Sequence, residues 1–474
     1  MSVGPPPRNG FDLDVETLVI GAGAAGLVAA LAAHGTGQDV LVLEADALPS
    51  GSTALSAGLI PAPGTRAQKD AGIDDTPALF AADIMAKAKG ENDPAIVEVL
   101  AAGAGPAIDW LTDRYGLPFS IVNDFDYPGH ARRRMHGLPS RAGRELIDRL
   151  RATVEAQDIP IVTERRVESL FTDDGKTVSG VQAHRPDGGV ETIGCKRLIL
   201  ACNGFGGTKD LVREYMPSIA DALYFGHPGN RGDAVRWGTA LGSATAHLGA
   251  YQGHGNVAHP HGILITWAVI AEGGVQVNLE GHRFWNESQG YSEAAQVVLS
   301  QPEGIAFAIF DRRIAGIARQ FVDFQQTEAQ GAIRTADTLA ELAGKLSLPA
   351  AALDNTIKAI VPGETDAFGR CFDTPAVAAL LRGQGDGRAV SHPGRAALRH
   401  KRAGAGPFGH SPAQPLCSGR GRLRCLGPGG RGLSVGQRPA QRRRAGPHCR
   451  RGRPNVAGNI GMAFALCPRT GAMT

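Results

Sequence analysis

Much that would place this 474-residue chain in a simpler class is missing. Aromatic residues make up only 5% of it, too few to build a base-stacking platform for nucleic acid. No run of 18 or more apolar residues occurs, so no membrane span is expected. The opening "MSVGPPPRNG" lacks the apolar stretch of a signal peptide, which makes a cytoplasmic location the expectation. There are seven cysteines and none has C-x-x-C spacing. That excludes the usual zinc spacing, and a disulfide framework is not expected in a long chain without a secretion signal. No metal site is expected.

Acidic residues are scarce in one region only. Residues 376–474 hold 17 Arg, one Lys and a single acid, Asp386, whereas the rest of the chain holds 31 basic and 45 acidic residues. A basic tail therefore follows an acidic body. The tail offers an electrostatic footprint for nucleic acid, but its only aromatics are Phe408 and Phe464 and no recognition module is present. Nucleic acid is not the expected partner.

The body begins with a dinucleotide signature. Val15–Ile20 reads as a buried strand, Ala24–Ala33 as an Ala-rich helix, and Asp39–Leu43 as the next strand, ending at Glu44. Between strand and helix, Gly21, Gly23 and Gly26 fit G-x-G-x-x-G. Gly21 permits the tight turn, Gly23 the approach of a pyrophosphate, and Gly26 the packing of helix on strand. The helix start around Ala25 offers free amides to phosphate. Glu44, followed by Ala45, sits where an acid accepts the ribose hydroxyls, favouring FAD or NAD over NADP. Further on, Gly143–Gln157 has apolar residues at helical spacing. A hairpin with its turn at Asp187-Gly188-Gly189 leads into a buried strand, Leu198–Cys202, that ends at Asn203-Gly204.

With "LPSGSTALSAGLI" after Glu44, the chain resembles the fumarate reductase/succinate dehydrogenase flavoprotein family, including its 3-ketosteroid dehydrogenase branch. The resemblance covers about residues 15–374. It implies an α/β, Rossmann-like FAD-binding domain over 1–245 with an inserted α+β capping domain over 246–365. It also implies FAD contacts at Ser52, Thr53, Ser56 and Gly58, at Val167 on the adenine side, and at Ala201, Asn203 and Gly204. Covalent members carry a His in an S-H-T triplet, and Gly51-Ser52-Thr53 lacks it, so the FAD is expected to be non-covalent. Asp233 reads either as a flavin-side acid or as a helix N-cap. Arg132, Arg133, Arg134 and Arg141 read as a solvated charge cluster or as residues near the cofactor.

Gly281-His282-Arg283-Phe284-Trp285-Asn286-Glu287 is similar to the family's G-x-R-F-x-N-E. Around it, Gln252, His254 and Thr266 reproduce the family's substrate-side spacing. The proton-delivering Arg of fumarate reductases is replaced by Tyr291, and two further charged positions by Trp267 and Ile270. A dicarboxylate needs cations, whereas the ketosteroid dehydrogenases have a Tyr base at this place. The implied reaction is desaturation beside a carbonyl, with Tyr291 as base, His254 as a substrate ligand or as one candidate for a positive neighbour that lowers the Tyr291 pKa, and Thr266 beside them. Tyr291 as a packing aromatic and His254 as one of several loop histidines, with His259 and His261, are the plainer readings. The expected partners are a small-molecule ketone and an electron acceptor that the sequence does not identify.

The family's C-terminal motifs are absent after Phe372-Asp373-Thr374. Read one base later, Leu380–Ala396 permits "FYAVKVTGALFHTQGGL", Ala413–Arg420 permits "PNLYAAGG", and Val435–Arg450 permits "SGNGLLSAVVLGRIAG". Residues 366–474 are thus expected to be the C-terminal return of the FAD domain, frame-shifted from about residue 375 and non-native or disordered. Two other functions stay open: fumarate-type reduction of an activated alkene, and an inactive, cofactor-free product with a basic tail.

Overall fold

The computed structural model describes residues 2–123, 127, 129–220, 222–373, 389–395 and 464–465, all within one compact unit. The frame-shift reading concerns residues that lie mostly outside this set.

An eight-stranded sheet carries the nucleotide-binding half. Its order is Ser2–Gly4, Arg166–Thr172, Val178–His184, Val190–Leu200, Leu13–Ile20, Val40–Leu43 and Ile161–Val162, and Phe464–Ala465 pairs beside Leu200. The strands Val190–Leu200, Leu13–Ile20, Val40–Leu43 and Ile161–Val162 run parallel. Thr17–Ile20 and Val40–Leu43 are buried on both faces, which is why "LVI" and "VLVL" are continuous apolar runs rather than alternating ones. The expected hairpin joins Val178–His184 to Val190–Leu200, and the expected helix runs Gly143–Glu155. Helices Ala24–His34 and Gly143–Glu155 cover one face through Leu27, Leu31, Ile147 and Leu150.

The second core gathers Trp267, Ile270, Val275, Val277, Trp285, Phe307, Phe310 and Phe324, nearly all from the segment proposed as the cap. Val122, Leu59 and Met135 from the first half also pack into it. Its sheet runs Ile263–Leu264, Val257–Ala258, Ala389–Arg395, Ile305–Phe310, Val275–Val277. The backbone of Ala389–Arg395 is central and pairs with three neighbours.

Helix Pro94–Tyr115 is long and apolar enough by composition to cross a bilayer, because its few charges are clustered near its ends. Its Ile108 and Leu111 are buried in the nucleotide-side core.

Arg134 is fully buried, bonded by Asp75 at 2.8 and 2.9 Å and by Asp83, and it stacks on Phe80. Two carboxylates compensate its desolvation, so it ties helix Pro77–Lys87 to the strand Met135–Gly137. Arg132 and Arg133 bond backbone carbonyls of Asp74 and Asn123, and Arg141 donates to Gln320. Arg132 is exposed and Arg134 buried, and the bonds of the cluster fasten loops.

Candidate active site: a cleft between the nucleotide sheet and the cap

Gly21 takes φ +103° and its amide donates to the Leu43 carbonyl at 2.8 Å. A Cβ on Gly21 would lie 2.6 Å from the Ala201 carbonyl oxygen, and one on Gly26 would lie 1.9 Å from the Gly21 oxygen. Both positions are closed to any side chain. At Gly23 the nearest atom is Thr53 Oγ1 at 3.8 Å, so room remains on that side for a ligand. Gly23 is the N-cap of the helix and supplies no capping side chain, which leaves the amides around exposed Ala25 without intrahelical acceptors. Glu44 accepts from the Ala22 amide at 2.7 Å and the Asp46 amide at 3.0 Å, across half-buried Ala45. These bonds fix the carboxylate at the strand end, beside the glycine turn.

Ser52 and Thr53 lie across from that turn. Thr53 Oγ1 accepts from the Ala24 amide at 3.1 Å. Ser52 Oγ is approached by Asn203 Nδ2 at 3.2 Å, the His227 amide at 3.1 Å and Asn230 Nδ2 at 3.0 Å. A hydroxyl oxygen has two lone pairs, so these three donors exceed its capacity and fit a further acceptor such as a phosphate or flavin oxygen. Ser56 and Gly58 hold the next turn: Ser56 Oγ accepts from the Gly58 amide at 3.0 Å, and Gly58 has φ +63°. Gly204 has open space where a Cβ would stand. The residues present therefore fit a bound dinucleotide, with room for its phosphates at Gly23 and polar groups toward its flavin end at Ser52.

The side chain of Val167 packs within the sheet core, 4% exposed. Asp233 is the first residue of helix Asp233–Ala240, and the N-cap is Gly232, which removes the N-cap reading. Asp233 is buried beside Arg231, and burial raises its pKa.

A cavity of about 760 Å³ joins this half to the cap. Ser52, Ser56, Gly58, Asn203 and Gly204 line one part, and Gln252, His254, Thr266, Trp267 and Tyr291 another. Tyr291 opens helix Tyr291–Leu299, and its first turn is laced to the chain before His254. The Gly255 amide donates to the Tyr291 carbonyl at 3.0 Å, the Gly253 amide to Ser292 Oγ at 3.2 Å, and Gln252 Nε2 to the Tyr291 hydroxyl at 3.3 Å. A Cβ on Gly253 or Gly255 would meet Ala295 or Ala294 at 2.6 and 2.3 Å, so only glycines on both sides let His254 approach the helix.

His254 lies between two aromatics, stacked on Tyr291 at 5.2 Å and edge-on to Trp267 at 6.0 Å. Burial pushes its pKa down to about 4. The imidazole is neutral at pH 7 and cannot be the positive neighbour that sequence reasoning assigned to Tyr291. Its Nδ1 accepts the Asn256 amide at 3.2 Å, which leaves the proton on Nε2. Burial also raises the Tyr291 pKa, opposed by the Gln252 hydrogen bond, so the phenol holds its proton in the free site. Thr266 Oγ1 accepts the Ala268 amide at 3.3 Å, just before the short helix Ala268–Ala271.

Arg283 forms two bonds with Glu287, at 3.0 and 2.6 Å, and pairs with Asp366. Arg370 bonds the same Glu287 at 3.0 Å. This buried group pins the loop preceding Tyr291 and takes no part in the cavity wall. Tyr127 and Asp323 also line the cavity, and sequence reasoning missed both. No motif surrounds them, and their only signal is position in space. Among the described residues, the cavity's one lysine or arginine is exposed Lys209.

Residues 16–368 match the family model described as "FAD binding domain". A probable fumarate reductase of Shewanella frigidimarina is 30% identical over 363 residues, which are 75% of this chain and 60% of that protein. The chain thus spans less than two thirds of that relative's length. Among solved structures, the open conformation of a flavocytochrome c3 fumarate reductase superposes with a TM-score of 0.66 at 27% identity, covering 83% of this chain and 68% of that one. A 3-ketosteroid-Δ4-(5α)-dehydrogenase from Rhodococcus jostii RHA1 shares the fold, with a TM-score of 0.60 at 23% identity, covering 82% of this chain and 87% of that one.

Proposed function

We propose, from the premise that this chain belongs to the FAD binding domain family, that it is an FAD-dependent oxidoreductase acting on a carbon–carbon bond beside a carbonyl, with a neutral ketosteroid-like or alicyclic ketone as substrate. One observation carries the reading. The cap end of the cavity presents a phenol, an amide and a neutral imidazole, with Trp267 lining it where the family resemblance implies a charge in a dicarboxylate site. A fumarate carboxylate there would lose its hydration, and among the described lining residues the single lysine or arginine is exposed Lys209.

Non-covalent FAD, when bound, supplies the acceptor for the hydride leaving the β carbon. The pyrophosphate would rest on Gly21, Gly23, Ala25 and Gly26, the ribose on Glu44 and Ala45, and the flavin side on Ser52, Thr53, Ser56, Gly58, Ala201, Asn203 and Gly204. The chain's own residues handle the proton. Tyr291, after its own phenolic proton has passed to solvent, takes the α proton of the substrate onto its phenolic oxygen. Gln252 Nε2–H steadies that oxygen while it is charged, and the N-terminus of helix Tyr291–Leu299 adds about 0.3–1 kcal/mol. His254 Nε2–H faces the cavity as a neutral donor to the substrate carbonyl, which lowers the cost of the enolate. Thr266 fixes the wall beside it. A cytoplasmic setting, a separate electron acceptor and a cap spanning about 246–365 belong to the same proposal.

The second reading is reduction of an activated alkene. The 30% identity to a probable fumarate reductase favours it, as does a Tyr291 that holds its proton and can donate it. Dye-linked oxidation of a panel of cyclic ketones, run beside reduction of fumarate, separates the two. Ketone oxidation without fumarate turnover supports the first reading; the reverse overturns it. A purified chain without flavin absorbance would support the cofactor-free alternative instead.

A further inference from the structure

The cavity contains a carboxylate that the proton chemistry does not use. Asp323 lies in the first turn of helix Val322–Ala329, directly after buried Phe321, and lines the same cavity as Tyr291 and Gln252. Carboxylates at helix starts commonly cap the first turn. Asp311 does so in this chain, accepting the Ile314 amide at 2.8 Å. Asp323 does not: the N-cap is Phe321, and the side chain accepts no hydrogen bond from any described residue.

Its surroundings offer no compensation. The helix packs against the strand Ile263–Leu264, and Leu264, Met135 and Tyr127 share the cavity wall. Tyr127 is a neutral phenol, since burial and its proximity to Tyr291 raise its pKa. The charged groups near this helix are engaged elsewhere, Arg319 with Glu328 at 2.7 Å and Arg141 with Gln320 at 2.8 Å. Burial alone pushes the Asp323 carboxyl up to about 6, and no described charge pulls it back.

We propose that Asp323 selects the substrate: its carboxylate accepts a hydrogen bond from a hydroxyl carried by the ketone at a point away from the bond being oxidised. A second carboxylate on the ligand would be repelled. An ammonium group would lose its water shell against Leu264, Met135 and Phe321, whereas a hydroxyl on an apolar ring system is cheaper to desolvate and still donates one strong bond. The inference rests on the ketone reading of the cavity.

Tryptophan fluorescence of the full chain tests it without turnover, because Trp267 lines the cavity. The probes are a cyclic ketone bearing a distal hydroxyl, the matching ketone without it, and the matching amine. The wild type is expected to bind the hydroxyketone about 10-fold tighter than the deoxyketone. Asp323→Leu should abolish that preference while the deoxyketone binds as before. Asp323→Asn, which keeps a carbonyl acceptor, should retain part of it. Equal binding of both ketones by the wild type overturns the Asp323 assignment alone. Tighter binding of the amine overturns the hydroxyl assignment. If neither ketone binds, the ketone reading fails and this inference falls with it.

Discussion

The imidazole of His254 lies against the phenol of Tyr291, with ring centroids 5.2 Å apart and 24° between the planes. Two groups that ordinarily titrate near 6.5 and 10 are thereby enclosed together, and burial favours the neutral form of each. The pair is a neutral donor beside a neutral acid, not an imidazolium beside a phenolate. The proton must therefore leave Tyr291 before it can act as a base.

Replacing Tyr291 by Phe removes one oxygen and leaves the stack on His254 intact. Ketone oxidation should fall by roughly 10²- to 10⁴-fold in kcat, as for loss of a general base, with KM and flavin absorbance little changed. Full retention of kcat would refute the base assignment.

The rate should depend on pH in a direction set by these shifts. Tyr291 has a raised pKa, so dehydrogenation should climb with pH toward and beyond 10, while reduction should stay flat between pH 6 and 9. His254, pushed down to about 4, should produce no inflection near 6.5. A bell with a limb at 6.5 would show that the imidazole titrates during turnover.

His254 also links stability to acid. Its folded pKa of about 4 lies below the ordinary 6.5, so the unfolded chain binds the extra proton first. Stability should be full above pH 6.5, decline as pH falls through 4, and lose about 3 kcal/mol in all from this group. Asp323 acts in the opposite sense. Its folded pKa of about 6 lies above the ordinary 3.8, so its contribution is present in acid and lost as pH rises through 6. Asp323→Asn should raise the Tm at pH 8, by an amount corresponding to about 2–3 kcal/mol, and change little at pH 4. A Tm difference that does not vary with pH would contradict this.

The glycines of the first turn should separate folding from cofactor binding. Gly26→Ala places a methyl 1.9 Å from a backbone oxygen and should destabilise the chain by about 1–3 kcal/mol. Gly23→Ala meets nothing closer than 3.8 Å, so the fold should persist while FAD affinity drops. Flavin absorbance after gel filtration, set beside the melting curve, distinguishes the two.

Sequencing the gene across codon 375 should reveal "GALFHTQGGL" one base later. A DNA sequence that cannot encode it would end the frame-shift proposal, and a chain with the frame restored should retain flavin more tightly.

The nucleotide turn was legible from sequence because its causes are local. A glycine that must take φ +103°, another with 1.9 Å of clearance, and an acid at the following strand end are dictated within about 30 residues of chain. The parallel strands showed as apolar runs for the same reason. The arginine cluster misled because exposure cannot be read from charge: Arg134 is buried only because Asp75 and Asp83, more than 50 residues away, converge on it. Of the two readings of Asp233 the N-cap one falls, because the cap one residue earlier is a left-handed glycine.

The sequence by itself carried the strand, glycine turn, helix and terminal acid of Gly21, Gly23, Gly26 and Glu44, and the resemblance that sets Tyr291 where fumarate reductases have an arginine. Tertiary structure alone decided the ionisation of His254 and Tyr291, since desolvation depends on what encloses a group rather than on its neighbours in the chain. It alone brought Asp323 into the same cavity, from a helix whose sequence gives no sign of a site.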